Sequence, residues 1–292
     1  HRPRPPFPMS CFGSSPKDHV VVKAGSVTQV GFLHTQSDTP NQDNGVIFEK
    51  PNKSNPALSY ILACVFDGHG DFGHDASKLA GDQVRGVVEK TLDENPEADL
   101  TDTLKAATKA LNDEMEKQSY ANSAGCTGTM VLLRGRTVVC ANVGDSTCIV
   151  VSKNQKKFSI RYRTVDHRLD DDKERERIEA AGGIIYENYV VDKVEQNKGL
   201  MVTRTFGDCD MRQNGVTDQP DYMSLDLTDD DKAIVIASDG LWDAEGYGFS
   251  KCLFTTAKNI KKSPGAIAQE LLNSVLHDGP SDDCTVVVLT LH

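Results

Sequence analysis

The chain has 292 residues, 38% of them hydrophobic and 26% charged, and a formal net charge of −11 with a sequence pI near 5.2. The apolar content is enough for a buried core, whereas the acidic balance excludes a binder of the nucleic-acid backbone, which needs a basic face. No apolar run reaches the roughly 18 to 20 residues that cross a bilayer, and no charged-then-apolar leader opens the chain. A soluble intracellular protein, cytoplasmic with the nucleus also open, is expected.

Residues 1–19 are rich in proline, arginine and serine with little to bury, and are expected to be a disordered tail. From residue 20 to 292 no proline- or glycine-rich linker marks a boundary, so one domain is expected. The first strand is expected at 60–66, followed by helices over 74–92 and 100–119. Strands dense in β-branched residues follow at 129–133, 137–142, 147–152 and 158–165. The first three of these are joined so tightly that they read as antiparallel hairpins, which rules out a parallel doubly wound sheet in this stretch. A helix over 171–181 opens on acidic residues and stops at Gly182-Gly183. Residues 184–199 are polar and irregular and suit a flap over a site. A strand at 233–238, helices over 250–259 and 264–276, and a strand at 285–291 complete the pattern. Helices flanking antiparallel strands predict an α+β fold with a central β-sandwich.

Eight cysteines are scattered without a CxxC pair. Several lie in apolar runs such as Ile61-Leu62-Ala63-Cys64-Val65-Phe66, where a thiol acts as a small hydrophobe, so neither a zinc site nor a disulfide framework is suggested.

The sharpest feature is the position of the aspartates. Asp67 follows the strand at 60–66, Asp145 the strand at 137–142, and Asp239 the strand at 233–238, while Asp283 stands just before the strand at 285–291. Aspartate and glycine end strands in many proteins because turns favour them. As a set, however, carboxylates at the ends of strands in one sandwich can converge, and they then repel each other unless cations neutralise them. Hard oxygen donors without a Cys or His cluster select Mg²⁺, Mn²⁺ or Ca²⁺ over zinc.

Nine motifs occur in a telling order: Asn41-Gln42-Asp43, Val65-Phe66-Asp67-Gly68-His69-Gly70, Gly125-Cys126-Thr127-Gly128-Thr129, Asn142-Val143-Gly144-Asp145-Ser146, Asp166-His167-Arg168, Glu179-Ala180-Ala181-Gly182-Gly183, Thr203-Arg204-Thr205-Phe206-Gly207-Asp208, Ala237-Ser238-Asp239-Gly240-Leu241-Trp242-Asp243 and Asp282-Asp283-Cys284-Thr285. The chain resembles the metal-dependent protein phosphatase 2C (PPM-type) family. The resemblance implies two antiparallel sheets packed as a sandwich with helices on both sides, a four-layer αββα arrangement. It implies hydrolysis of phosphoserine and phosphothreonine in proteins by a water shared between two Mg²⁺ or Mn²⁺ ions.

By similarity Asp67 bridges the ions, Asp239 and Asp283 complete the first position, and the carbonyl of Gly68 and the acid Asp43 serve the second. Asp145 and Asp243 match positions linked to a further, weaker ion. His69 matches a general acid for the departing alkoxide, which its ordinary pKa of about 6.5 suits. His167, Arg204, Asp208 and Trp242 are assigned structural work. Phosphorylated proteins are the implied partners, and a monomer is the default. The chain departs from the common family pattern in three places: Gln42 stands where glutamate is frequent, no arginine precedes it within residues 34–40, and Cys284 replaces a common asparagine. Gln42 and the absent arginine motivate one alternative, a catalytically weak relative that binds phosphoproteins as a regulator.

Overall fold

The computed structural model describes residues 20, 22–195, 198–244, 246–275 and 281–292. The tail expected at 1–19 and the end of the helix expected over 264–276 lie outside them.

The layering follows from the alternation in β3 (Tyr60–His69). Ile61, Ala63 and Val65 point to one face, where they pack with Val131, Cys140, Ile234, Ile236 and Val287 between two sheets. Tyr60, Leu62, Cys64 and Phe66 point the other way, against Ala80, Val84, Leu104 and Leu111. Both faces are apolar, so the strand is buried on both sides. Burying a Val, Leu or Ile side chain contributes about 1.5 to 3 kcal/mol. A one-residue slip would exchange the two sets and spoil both layers, which fixes the register.

The sheet containing β3 runs β12 (Phe206–Gly207), β4 (Gly125–Cys126), β3, β5 (Gly128–Arg134), β6 (Thr137–Val143) and β13 (Asp221–Asp226), with β2 (Asp43–Lys50) also paired to β3. The facing sheet runs β1 (Val22–Gln29), β15 (Cys284–Leu291), β14 (Asp231–Ala237), β7 (Thr147–Asn154) and β8 (Lys157–Arg163). Outside the first lie α2 (Gly73–Glu94) and α3 (Leu100–Met115). Outside the second lie α5 (Asp239–Trp242), α6 (Gly248–Asn259) and α7 (Pro264–Asn273). This is the expected αββα sandwich of antiparallel sheets. Asp99 caps α3 by accepting from the amide of Asp102, and Ser263 caps α7 by accepting from Ala266, ahead of a proline in the first turn.

Two expectations need correction. β5 and β6 form a hairpin, but β6 and β7 do not pair, because β7 joins β14 in the other sheet. The short connection between them, Gly144-Asp145-Ser146, therefore crosses from one sheet to the other. Gly144 makes this possible: its φ is +90°, and a Cβ there would stand 2.6 Å from the Thr127 side chain. The stretch expected to be irregular at 184–199 instead carries β9 (Ile184–Tyr186), β10 (Tyr189–Val191) and the start of β11 (Gly199–Leu200), a small antiparallel sheet, with 196 and 197 outside the described residues. It packs beside α4 (Asp172–Ala180) around Ile178, Val190, Met211 and Val216.

Candidate active site

β2 and β3 bring the first two acids together, because Asp43 is the register partner of Asp67 across the ladder. Like charges opposite each other on neighbouring strands are destabilising, so this pairing calls for a cation. The third acid arrives from the other sheet. Ser238, at the end of β14, donates its hydroxyl to Asp43 Oδ2 at 2.7 Å and accepts the Thr285 amide at 2.9 Å. It thereby ties β14 and β15 to β2 and leaves the next residue, Asp239, at the mouth of the sandwich. Gly240 then runs so close to the following loop that a Cβ would stand 2.0 Å from the Asp283 carbonyl oxygen.

The electrostatics agree with this crowding. Burial first, and then the neighbouring Asp43 and Asp239, hold the Asp67 carboxyl well above its usual range. Burial also pushes Asp43 up to about 7, against the lowering effect of its bond from Ser238. Asp239 is raised by burial and by Asp145, with Arg168 opposing. Asp43 Oδ1 and Asp239 Oδ1 are buried and have no hydrogen-bond partner among the described residues. Buried carboxylate oxygens without partners cost free energy unless an ion or water meets them.

The remaining acids are already engaged. Asp283 Oδ1 accepts the Gly31 amide at 2.8 Å, and Oδ2 accepts the Gln42 amide at 2.6 Å and faces His34 Nδ1 at 2.8 Å. Asp145, Asp239 and Asp243 share the guanidinium of Arg168 at 2.5, 2.9 and 2.5 Å. Among the described residues no three His, Cys, Asp or Glu side chains stand in a ready-made ion-holding cluster. Arg168 stands in the Asp166-His167-Arg168 motif, whose pattern alone gives it no role. His34, in the stretch ahead of the Asn41-Gln42-Asp43 motif, is a second residue that the motifs leave without a role, and its side chain pairs with Asp283.

His69 stands two residues beyond Asp67 on the same strand. Its Nε2 lies 2.6 Å from Asp208 Oδ2 and 3.3 Å from the Thr205 hydroxyl. Burial disfavours the imidazolium, but the Asp208 carboxylate outweighs it and raises the pKa above the ordinary value. Asp208 itself is held by the turn Phe206-Gly207-Asp208, whose glycine has φ +87° and approaches Ala124 closely.

The side chains assigned structural work do it. His167 accepts the Gly144 amide at Nδ1, 3.0 Å away, and so supports the loop that presents Asp145. Arg204 binds Glu174 and Asp221 rather than facing the acids. Trp242 donates to the Ala237 carbonyl and stacks on Phe249 with ring centroids 5.0 Å apart.

A profile of the protein phosphatase 2C family matches residues 32–284. The chain belongs to the protein phosphatase 2C family. It is 31% identical over 251 residues to protein phosphatase 2C homolog 1 of Saccharomyces cerevisiae, covering 80% of this chain and 83% of that one. It is 34% identical over 192 residues to protein phosphatase 2C homolog 3 of Schizosaccharomyces pombe, covering 62% of this chain but 43% of that longer protein. Its fold superposes on serine-threonine phosphatase 2C of Toxoplasma gondii with a TM-score of 0.76 at 20% identity, covering 93% and 95% of the two chains. It also matches the catalytic domain of the serine threonine protein phosphatase PstP in complex with two manganese ions, with a TM-score of 0.61 at 20% identity, covering 93% and 99%.

The chain therefore carries a protein serine/threonine phosphatase domain of the metal-dependent phosphatase 2C type. Within that family two of its three departures have local explanations, and the absent arginine has none in the structure. Gln42 donates its side-chain amide to the Gly70 carbonyl at 2.7 Å and its backbone amide to Asp283, bracing the Asp67-Gly68-His69-Gly70 turn, where a carboxylate could not donate. Cys284 is fully buried and packs in the outer core among Val286, Val288 and Ala237. No helix among the described residues is long and apolar enough to cross a membrane.

Proposed function

We propose that this phosphatase hydrolyses phosphoserine and phosphothreonine in proteins with two Mg²⁺ or Mn²⁺ ions held by Asp43, Asp67, the Gly68 carbonyl, Asp239 and Asp283. The observation that carries the reading is the meeting of Asp43, Asp67 and Asp239, raised in pKa by burial and mutual repulsion, with buried oxygens on Asp43 and Asp239 left without partners. All the donors are hard oxygens, which suits these ions. Asp283 fits as well: a carboxylate offers about four lone-pair positions, and Gly31, Gln42 and His34 take three. When bound, the two cations supply neutralisation of the phosphoryl oxygens and the acidity that makes a water nucleophilic near neutral pH.

The rest is work for the chain. The raised carboxyls must give up their protons to the solvent before they serve as ligands, so loading is favoured as pH rises. His69, held protonated by Asp208, donates to the departing serine or threonine oxygen. Its Nε2 is occupied by Asp208 and Thr205, so Nδ1 is the nitrogen left for that proton. No side-chain nucleophile is needed, which accords with the thiols Cys126 and Cys284 being buried and raised in pKa rather than activated.

The deciding experiment measures phosphate release from phosphoserine and phosphothreonine peptides with Mn²⁺, with chelator, and with Asp67→Asn and Asp239→Asn. Metal-dependent turnover lost in both variants is expected. Turnover in the wild type no greater than in Asp67→Asn would instead favour a phosphoprotein-binding role.

A further inference from the structure

The cation shared by Asp145, Asp239 and Asp243 belongs to the chain itself. Arg168 donates from Nε to Asp145 Oδ2 at 2.5 Å, from Nη1 to Asp243 Oδ2 at 2.5 Å and from Nη2 to Asp239 Oδ2 at 2.9 Å. The acids come from two places, the crossover between β6 and β7 and the two ends of α5. The arginine backbone is fixed between them by an isolated bridge to Val202 and by the neighbouring His167, whose amide donates to the Gly144 carbonyl. Asp145 is 5% exposed and the Arg168 side chain 20%, so the bond between them is largely shielded from water, whereas Asp243, 52% exposed, takes its bond at the surface.

We propose that the Arg168 guanidinium takes the place of a third, weaker ion, so that the pocket is completed by two divalent ions and one built-in cation. Resting on the two-ion reading above, this makes Arg168 a positioning residue: it holds Asp239 through Oδ2 and leaves the partnerless Oδ1 to an ion. The two occupants exclude each other. A divalent ion among Asp145, Asp239 and Asp243 would have to displace three charged hydrogen bonds and would then sit against an arginine that cannot lose its charge. A guanidinium also needs no free cation to fill the position, so this corner keeps one positive charge among its three acids whatever the metal supply.

The test counts Mn²⁺ bound to the whole chain by equilibrium dialysis, with electron paramagnetic resonance reading free Mn²⁺. The wild type is expected to bind two ions and Arg168→Ala three, the added ion at least tenfold more weakly. Adding Asp243→Asn to Arg168→Ala is expected to return the count to two and to relieve the carboxylate repulsion that burdens the single variant's folding. Three ions on the wild type, or only two on a folded Arg168→Ala, would overturn the proposal. Fewer than two on the wild type would overturn the two-ion reading as well, so the two failures are told apart by the wild-type count alone.

Discussion

Asp208 lies at φ 47°, in the left-handed region that costs a residue with a side chain about 1 kcal/mol or more. The cost is borne where Asp208 meets His69 at 2.6 Å, which points to His69 as the group whose proton matters. His69→Ala is expected to slow hydrolysis of alkyl phosphates by about 10²- to 10⁴-fold, the usual worth of a positioned acid. Aryl phosphates, whose leaving groups need little protonation, should lose far less. Equal losses on a phosphoserine peptide and on p-nitrophenyl phosphate would remove His69 from that role. A second residue-level case is Glu174, 4% exposed and bonded by Arg204, Arg177 and Thr203. Burial would raise its carboxyl, but these bonds dominate and hold it at about 2 instead of 4.5. At about 1.4 kcal/mol per unit this corresponds to roughly 3 kcal/mol at neutral pH. Because the folded value is depressed, the contribution is full above pH 4.5 and fades as pH falls towards 2. Urea unfolding of Glu174→Gln should show its largest deficit at pH 7 and a narrowing one below about 4.5; a deficit independent of pH would contradict the linkage. At this scale Asp67, Asp145, Asp239 and Asp283 were legible, since each stands at one end of an apolar strand, whereas Asp43 was reached only through the family resemblance because β2 is not marked by pattern. Arg168 was not legible, because its partners lie 23, 71 and 75 residues away and nothing local pairs them.

The elements that sequence pattern missed share a physical reason. β1, β2 and β13 are only partly buried and carry polar residues such as Lys23, Asp43 and Asp221, so neither continuous apolar runs nor clean alternation marks them. The six-residue α1 (Phe32–Ser37) has no buried residue at all and is placed by its contacts with Asp283 and Gly31 rather than by amphipathicity. β6 and β7 misled in the opposite way: both are strongly β-branched and nearly adjacent, yet the chain changes sheet between them. Only the positive φ of Gly144 records the crossover, and a glycine beside an aspartate reads equally well as a hairpin turn. Packing of β1 against α7 can be tested directly. A Cβ on Gly25 would stand 2.3 Å from the Gly265 amide nitrogen, backbone that cannot step aside without moving the helix, whereas a Cβ on Gly265 meets nothing within 4 Å among the described residues. Gly25→Ala is therefore expected to lower stability by about 1 to 3 kcal/mol and Gly265→Ala to leave it nearly unchanged, as read by denaturant unfolding. Equal effects from the two would show that β1 and α7 are not packed this tightly.

At the scale of the molecule, a net charge of −11 is gathered unevenly, since acids from β2, β3, α5 and the loop before β15 meet at one end of the sandwich. The layered cores supply the stability that this convergence spends, and the cores themselves were legible because the buried strands are dense in β-branched residues. Without divalent ions, the raised carboxyls make the folded state bind more protons than the unfolded chain. Their contribution is therefore most favourable at low pH and is lost as pH rises through the folded values, about 7 for Asp43. Ions that bind only the folded pocket remove that loss, adding about 2.7 kcal/mol when present at a hundred times their dissociation constant. Thermal melts in chelator should thus fall from pH 5 to pH 7.5, while melts with Mn²⁺ should be higher and diverge most from the chelated protein at pH 7.5. Identical melting temperatures with and without Mn²⁺ at pH 7.5 would mean that no ion relieves these carboxylates, and the two-ion reading would go with them.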